Sequence, residues 1–308
     1  MKLLSLLLIF LTSILHAEDV SIQNETLKGE LTTAGTDKSL IAFIISGSGP
    51  TDRDGNTVGD LGKNNSLLYL SDFLNKQGIS TLRVDKRGVG ASSSSKIKEG
   101  DLRFSTYVED VGYWIDFLKK RGYSKIVLIG HSEGALVATL AASTDSVIGL
   151  ISIAGAGRPA SLVLKEQLQS HLPKELYTQA ESIISNLEKG EIVKDTPAAL
   201  NSLFRPSVQP YMISWFKIDP AKALSEVKVP ILIIQGSTDL QTSVEDAKLL
   251  HTSAKNSELL IIKGMNHVLK EIEGNLDTQL PSYFDPALPL HKDFGTEMIK
   301  FIHKVGNK

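Results

Sequence analysis

The stretch Lys125–Ala142, KIVLIGHSEGALVATLAA, decides the fold. It begins with a short apolar run at 126–129, of the kind that forms a buried strand. It ends with small and apolar residues at 135–142 that predict a helix. Between them lies the pattern G-x-S-x-G at 130–134. This strand–turn–helix context predicts a sharp turn that presents Ser132 at the end of a sheet.

The same alternation of strand and helix extends in both directions from this stretch. Residues 20–34 predict a hairpin near a sheet edge. Fully apolar strands that alternate with helices indicate parallel strands joined by right-handed crossovers. The sequence therefore predicts an α/β fold with a mostly parallel central sheet and helices on both faces. Strands are predicted at 39–47, 79–88 (with its loop), 125–132, 147–157, 230–239 and 257–267, and helices at 66–78, 105–122, 133–143, 243–254 and 292–304.

One interval, 158–222, breaks this rhythm. Its pattern is mostly helical and is interrupted by several prolines. We interpret it as a helical lid inserted in an α/β core made of residues 18–157 and 223–308.

Residues 1–17 predict an export signal. Lys2 is followed by an apolar run of about thirteen residues, which is short for a membrane-spanning helix. The small residue Ala17 precedes a polar segment, so we expect cleavage after Ala17. The mature protein is then expected in the periplasm or outside the cell, with no membrane contact beyond this signal peptide.

Composition excludes several classes of function. The 308 residues carry a net charge of -2, whereas a nucleic-acid-binding protein usually has a basic excess. No nucleic-acid partner is therefore expected. The chain has no cysteine, which excludes thiolate metal sites and a cysteine nucleophile. Because the other metal-ligand, dinucleotide and phosphate-binding patterns are missing as well, we expect no metal and no cofactor.

A serine nucleophile needs a base, and the base needs an acid that orients it. His267 directly follows an apolar strand, and ligand sites of open parallel sheets lie at the carboxyl ends of the strands. We therefore identify His267 as the base. Asp239 ends the preceding strand in the same way, which gives the order Ser…Asp…His along the chain. Asp219 and Asp246 are rival acids that do not end a strand.

Two backbone amides are expected to stabilise the negative charge that develops on a substrate carbonyl oxygen, and so to form an oxyanion hole. One is the amide of Glu133, directly after Ser132 and at the start of the predicted helix. The other is the amide of Ser48, with that of Gly49 as the alternative, in the glycine-rich loop after the strand at 39–47. His131, the other neighbour of Ser132, is expected to point elsewhere on the turn.

With these residues in place, the chain resembles an α/β-hydrolase over nearly all of its mature length. The resemblance rests on GHSEG at 130–134, on an acid and a histidine after the last two strands, and on DKRGVGAS at 85–92. The segment GSGPTDRDGN at 47–56 resembles a subgroup of secreted bacterial esterases and peptidase-like hydrolases. The resemblance implies an acyl-enzyme mechanism on an ester or, less often, an amide. It has one departure, because Ser46 stands where the superfamily usually has a histidine that supports the oxyanion loop.

Charged side chains of these two loops predict local ion pairs. Asp52, Arg53 and Asp54 are expected to pair with one another, and Arg87 is expected to pair with Asp85. Both arrangements would hold a loop in place.

The sequence leaves three hypotheses for the function. The favoured one is a serine hydrolase, a carboxylesterase, acting on a small-molecule ester. The second is an aminopeptidase or acyl-peptide hydrolase, in which Glu166, Glu175 or Glu181 of the lid would bind the free amine of a short peptide. The third is a non-catalytic binding protein on the same fold, which the three filled triad positions disfavour. Trp215 and Phe216 are expected to line an acyl pocket or to pack the lid.

Overall fold

Strand and helix alternate throughout the computed structural model, which describes residues 15–57, 59 and 62–307. Every strand and helix predicted for the core is present. The strands are β1 His16–Ile22, β2 Leu27–Thr33, β3 Leu40–Ile45, β4 Ser80–Val84, β5 Lys125–His131, β6 Val147–Ile153, β7 Ile231–Gly236 and β8 Ser257–Ile262. The α-helices are α1 Ser66–Lys76, α2 Phe104–Lys120, α3 Glu133–Ala141, α4 Ala160–His171, α5 Lys174–Glu188, α6 Asn201–Phe204, α7 Gln209–Phe216, α8 Pro220–Ser225, α9 Val244–Ser253, α10 Leu276–Gln279 and α11 Gly295–Gly306.

Within the described residues, one eight-stranded sheet has the order β1-β2-β4-β3-β5-β6-β7-β8. The strands from β4 to β8 in this order pair in parallel. β1 and β2 form the predicted antiparallel hairpin at one edge, and β2 pairs antiparallel with β4. The predicted α/β fold with a mostly parallel sheet is therefore confirmed. Because parallel strands end at the same edge, Ser132, Asp239 and His267 follow three strands that end together.

Apolar side chains cover both faces of the sheet. In β3, Phe43 lies in a buried cluster that includes Trp114 of α2. The next residue, Ile44, lies in a second cluster that includes Phe301 of α11. Successive strand residues point to opposite faces, so both faces of β3 are buried. This burial explains why the central strands are apolar without interruption.

The interval 158–222 contains the helices α4 to α7 and the first turn of α8. Ile184 of α5, Phe204 of α6 and Met212 of α7 belong to an apolar cluster that is separate from the two clusters of the sheet. Leu224 of α8 instead packs into the sheet cluster on the α2 side. That these helices act as a lid stays a prediction.

The predicted export signal lies outside the described residues except for Leu15, His16 and Ala17. His16 and Ala17 begin β1 and pair with Thr33 and Thr32. Cleavage after Ala17 would thus remove the first two residues of this edge strand, and the signal itself stays a prediction. None of the helices in the described part of the chain is long and apolar enough to cross a membrane.

Candidate active site

Ser132 lies on the turn between β5 and α3. Its backbone has φ 56° and ψ -122°, a region that residues with a side chain rarely adopt. The Ser132 amide donates to the carbonyl of Ile153 at 2.9 Å, so the neighbouring strand β6 holds this strained residue. The side chain is half-buried at the carboxyl edge of the sheet. The turn therefore presents the hydroxyl at the sheet end, as the motif predicts.

Close backbone approach explains the two glycines of the motif. A side-chain carbon added at Gly130 would lie 2.5 Å from the Cα atom of Ala135. One added at Gly134 would lie 2.5 Å from the carbonyl oxygen of Ser46. Both distances are far inside van der Waals contact, and the neighbours are backbone atoms that cannot rotate away. Glycine at these two positions lets α3 begin directly against β5 and the end of β3.

We expect Gly130→Ala to lower the free energy of unfolding by about 3 kcal/mol or more, because the added methyl overlaps backbone. Gly112→Ala is a matched control, since a carbon added there has no neighbour within 4 Å. This control lies in α2 and should be neutral or stabilising by up to about 1 kcal/mol. Urea unfolding of both variants measures the difference. Equal stability of the two variants would show that the turn has room to relax.

The structure brings Asp239 and His267 together. The Nδ1 atom of His267 lies 2.8 Å from Oδ2 of Asp239. The two side chains are almost fully buried, with 5% of His267 and 0% of Asp239 exposed. Because a carboxylate only accepts hydrogen bonds, His267 donates from Nδ1. Its Nε2 atom is then the one available to accept a proton.

Asp239 is held as an anion by donors from its own loop. Its Oδ1 atom accepts from the amides of Gln241 at 2.7 Å and Thr242 at 3.0 Å. Its Oδ2 atom accepts from the Thr242 hydroxyl at 3.0 Å and from Gln235 Nε2 at 3.1 Å. Burial raises the pKa of Asp239, but His267 and these donors outweigh burial, so the pKa lies below its usual value. The carboxylate is therefore ionised at neutral pH.

His131 is a residue of this site that the sequence reasoning missed, because it does not point elsewhere. Its ring centroid lies 4.9 Å from that of His267, and its Nε2 atom lies 2.8 Å from the carbonyl oxygen of His267. A carbonyl only accepts, so His131 donates from Nε2. The residue beside Ser132 thus fixes the backbone of the predicted base and places the serine turn next to it.

Burial and the neighbouring His267 lower the pKa of His131 to about 4 from 6.5. As pH falls through this range, the unfolded chain takes up a proton before the folded protein does, so the folded state loses stability. The shift corresponds to a loss of about 3 kcal/mol between about pH 7 and pH 4. His131→Gln keeps a donor but does not titrate. Between pH 7 and pH 4 we expect the unfolding free energy of this variant, measured with urea, to fall by about 3 kcal/mol less than that of the wild type. If the unfolding free energies of the two proteins change with pH in parallel, the assignment is contradicted.

The loop after β3 approaches Ser132 from the other side. A carbon added at Gly47 would lie 3.1 Å from Ser132 Cβ. Ser48 follows Gly47 and is exposed. On the serine turn, the amide of Glu133 donates to no group of the described residues, and α3 begins at this residue. Free amides at a helix N-terminus attract negative charge. The loop that carries Ser48 and the start of α3 therefore approach Ser132 from two sides, and the oxyanion hole stays a prediction.

The predicted local ion pairs were wrong in their partners. Arg53 pairs with Asp85 at 2.9 Å rather than with its neighbours Asp52 and Asp54. Arg87 donates from Nε to Asp110 of α2 at 3.0 Å rather than to Asp85. Both pairs join residues that are distant in sequence. The first ties the oxyanion loop to the end of β4, and the second ties the loop after β4 to α2.

No group of three or more histidine and acidic side chains is placed to hold a metal ion among residues 15–57, 59 and 62–307. The rival acids have structural partners. Asp219 caps α8 by accepting from the Lys222 amide. Asp246 accepts from Arg158 Nε at 2.9 Å and caps α9 together with Ser243. Neither rival contacts His267.

Residues 64–273 match the protein family described as Serine aminopeptidase, S33. The chain belongs to the S33 family of α/β-hydrolases. Esterase EstD of Thermotoga maritima is 26% identical to this S33 family chain over 273 residues, which are 83% of the chain and 61% of EstD. The chain thus spans less than two thirds of that relative. The bifunctional esterase/perhydrolase DCH of Acinetobacter calcoaceticus is 25% identical over 65% of the chain and 79% of DCH.

The fold of the S33 family chain also matches solved structures. Est1E from Butyrivibrio proteoclasticus superposes with a TM-score of 0.59 at 18% identity, over 95% of this chain and 99% of Est1E. This likeness confirms the predicted α/β-hydrolase fold. Family membership supports the prediction of a serine hydrolase.

Residues that the sequence assigned to the lid of this S33 family chain differ in their surroundings. Glu166 accepts from Arg158 at 2.9 Å, whereas Glu175 and Glu181 are exposed. The ring of Trp215 stacks on Phe104 at 5.9 Å. Phe216 is buried in the separate apolar cluster of the interval 158–222. The two aromatic residues therefore pack the helices, in agreement with the second of the two roles expected for them.

Proposed function

We propose that the chain is a carboxylesterase that acts through an acyl-enzyme intermediate. Ser132 attacks the ester carbonyl while His267 takes up its proton at Nε2. His267 then donates that proton to the leaving alcohol. Asp239 orients His267 and stabilises its charged form. A water molecule, activated by His267 in the same way, releases the acid and regenerates Ser132.

The buried pair of His267 and Asp239, next to the serine turn, is the observation that carries this proposal. A histidine that donates from Nδ1 to an ionised acid has its Nε2 atom ready as a base. The contact between the rings of His131 and His267 supports placing that base beside Ser132. The strained backbone of Ser132 is of the kind that persists at functional sites, because the surrounding structure must hold it.

The free amide of Glu133 supports the oxyanion hole that we propose. The negative charge of the tetrahedral intermediate would lie at the N-terminus of α3, where the helix dipole favours it. The Ser48 amide would supply the second hydrogen bond. Donors placed in this way account for much of the rate acceleration in acyl transfer.

Exposed apolar side chains around the catalytic acid support an ester with an apolar group. Leu240 follows Asp239 directly and is 38% exposed. Leu280 and Phe284 are also exposed, at 47% and 51%. Their segment is held against the acid loop, since Gln279 Nε2 donates to the Thr238 carbonyl at 2.8 Å. We propose that this apolar rim binds the acyl chain of a modest-sized ester.

Amide cleavage is the second candidate, because the family is described as serine aminopeptidases. An aminopeptidase needs an acidic group placed to bind the free amine of its substrate. Glu166 is already paired with Arg158, and Glu175 and Glu181 have exposed side chains on α5. The pairing of Glu166 with Arg158 removes one of the three acidic groups expected to bind a free amine, and this favours the ester.

A substrate panel separates the two candidates. The purified chain is assayed with p-nitrophenyl esters of increasing acyl length and with aminoacyl p-nitroanilides. We expect kcat/KM for the esters to exceed that for the anilides by about 100-fold or more, a difference of about 3 kcal/mol in transition-state stabilisation. Preference for the anilides with a free amine would instead establish the aminopeptidase.

A further inference from the structure

The side chain of Lys86 is buried directly behind the oxyanion loop. It follows β4, and only 8% of the residue is exposed. Its Nζ atom donates to the carbonyl oxygen of Gly47 and to that of Gly49 at 2.9 Å. Nζ also lies 3.6 Å from Oε1 of Glu133. A buried ammonium group is costly unless it is paired and hydrogen-bonded, and these three oxygens are its partners.

These contacts fix the direction of the Ser48 amide. The described residues contain no cis peptide bond, and in a trans peptide the carbonyl and the amide point in opposite directions. The carbonyl of Gly47 points at Lys86, so the amide of Ser48 in the same peptide unit points away from Lys86. Gly47 itself lies against Ser132, since a side-chain carbon added at Gly47 would lie 3.1 Å from Ser132 Cβ. Lys86 therefore holds the carbonyls of Gly47 and Gly49, the residues on either side of Ser48. This anchoring directs the Ser48 amide away from the buried side of the loop.

The same ammonium group faces the second segment of the hole. Glu133 supplies the other amide, and 2% of its side chain is exposed. In the described part of the chain, its Oε1 atom has no hydrogen-bond partner, so Lys86 is the cation that balances this buried carboxyl group. Tyr211 of α7 borders the carboxyl group, since burial and Glu133 raise the pKa of Tyr211 well above its usual value.

The contacts within the oxyanion loop next to Ser48 are between neutral groups: the Thr51 hydroxyl donates to the Ser48 carbonyl at 2.7 Å. Ser46 donates from its hydroxyl to the carbonyl of Thr51 at 3.3 Å, a long contact between neutral groups. A charged donor makes hydrogen bonds that are roughly twice as strong as neutral ones. Lys86 is thus the charged donor that holds the carbonyls next to Ser48, whereas Arg53 ties a later part of the loop to Asp85.

We propose that Lys86 is a positioning residue that holds the amides of Ser48 and Glu133 in the geometry of the oxyanion hole. The proposal rests on the proposed esterase function. Lys86 does not touch the substrate. It acts through the two segments that do.

The test compares an ester with the thionoester of the same acid and alcohol. A thiocarbonyl sulfur accepts hydrogen bonds weakly, so the ratio of kcat for the two substrates reports on the oxyanion hole. We expect Lys86→Met to lower kcat for the oxygen ester by about 100-fold, the lower end of the loss when one donor is removed. KM should change little, and kcat for the thionoester should fall much less. The ratio therefore drops, which a general loss of folded protein would not produce.

Lys270→Met is the matched control, because Lys270 is also buried and donates from Nζ to a backbone carbonyl, that of Leu288. It should leave the ratio of ester to thionoester unchanged. Lys86→Gln keeps an uncharged donor, so its ratio of kcat for the ester to kcat for the thionoester should lie between those of the wild type and Lys86→Met. If Lys86→Met does not fold, the ratio of Lys86→Gln is the test. An unchanged ratio in the folded Lys86 variants would overturn the proposal. If the wild type hydrolyses neither substrate, the esterase function itself fails.

Discussion

Replacing Ser132 by alanine is expected to lower kcat/KM for p-nitrophenyl esters by about 10⁵-fold or more, in line with the loss of other serine nucleophiles. Without the hydroxyl group no acyl-enzyme can form, and only substrate binding and the proposed oxyanion hole remain. The measurement is ester hydrolysis under saturating and subsaturating substrate. Labelling by a fluorophosphonate probe should also disappear, because the probe reacts only with an activated serine.

Ser152→Ala is a suitable control for this variant. Ser152 is a buried serine on the neighbouring strand β6, with 2% of the residue exposed, and it pairs in register with Gly130. It should keep both ester turnover and labelling. The urea midpoint of Ser132→Ala should stay close to that of the wild type, since alanine occupies the same backbone position with one atom fewer. Full turnover by folded Ser132→Ala would refute the assignment of the nucleophile.

The fold was largely predictable from local patterns. A strand buried on both faces has no polar residues to alternate with apolar ones, so β3 and β5 were visible as short apolar runs. The serine turn was visible because Gly130 and Gly134 are needed where α3 meets β5 and the end of β3. Such requirements act within a few residues and leave their mark directly on the sequence.

The partners of charged residues were not predictable in the same way. Asp52, Arg53 and Asp54 are neighbours in sequence, but Arg53 pairs with Asp85 and Arg83 pairs with Asp54. Which charges meet depends on how β3 and β4 align, and that alignment is set by the whole sheet. Sequence proximity therefore predicted that the loops are held by ion pairs but not which residues form them.

The supporting residues of the site were hidden for a similar reason. Lys86 resembles an ordinary surface lysine in the sequence. Its burial follows from tertiary packing, which places Glu133 and the ring of Tyr107 around Nζ, the ring centre at 5.6 Å. His131 forms its hydrogen bond with a residue 136 positions away. The only sequence signal for the two residues was their place in the motifs DKRG and GHSEG. The other positions of these motifs already had an expected role, in an ion pair or in the serine turn.

Asp239→Asn is expected to lower kcat for esters by about 10⁴-fold, the loss seen when the acid of a serine triad is replaced by its amide. The amide fills the same space but can present its NH₂ group to His267 Nδ1, which favours the tautomer whose Nε2 atom carries the proton and cannot act as a base. It also removes the negative charge that stabilises protonated His267. Fluorophosphonate labelling should slow together with ester turnover, because both need the base. Asp219→Asn is the control, since Asp219 only caps α8; a similar loss of activity in both variants would remove Asp239 from the proposed triad.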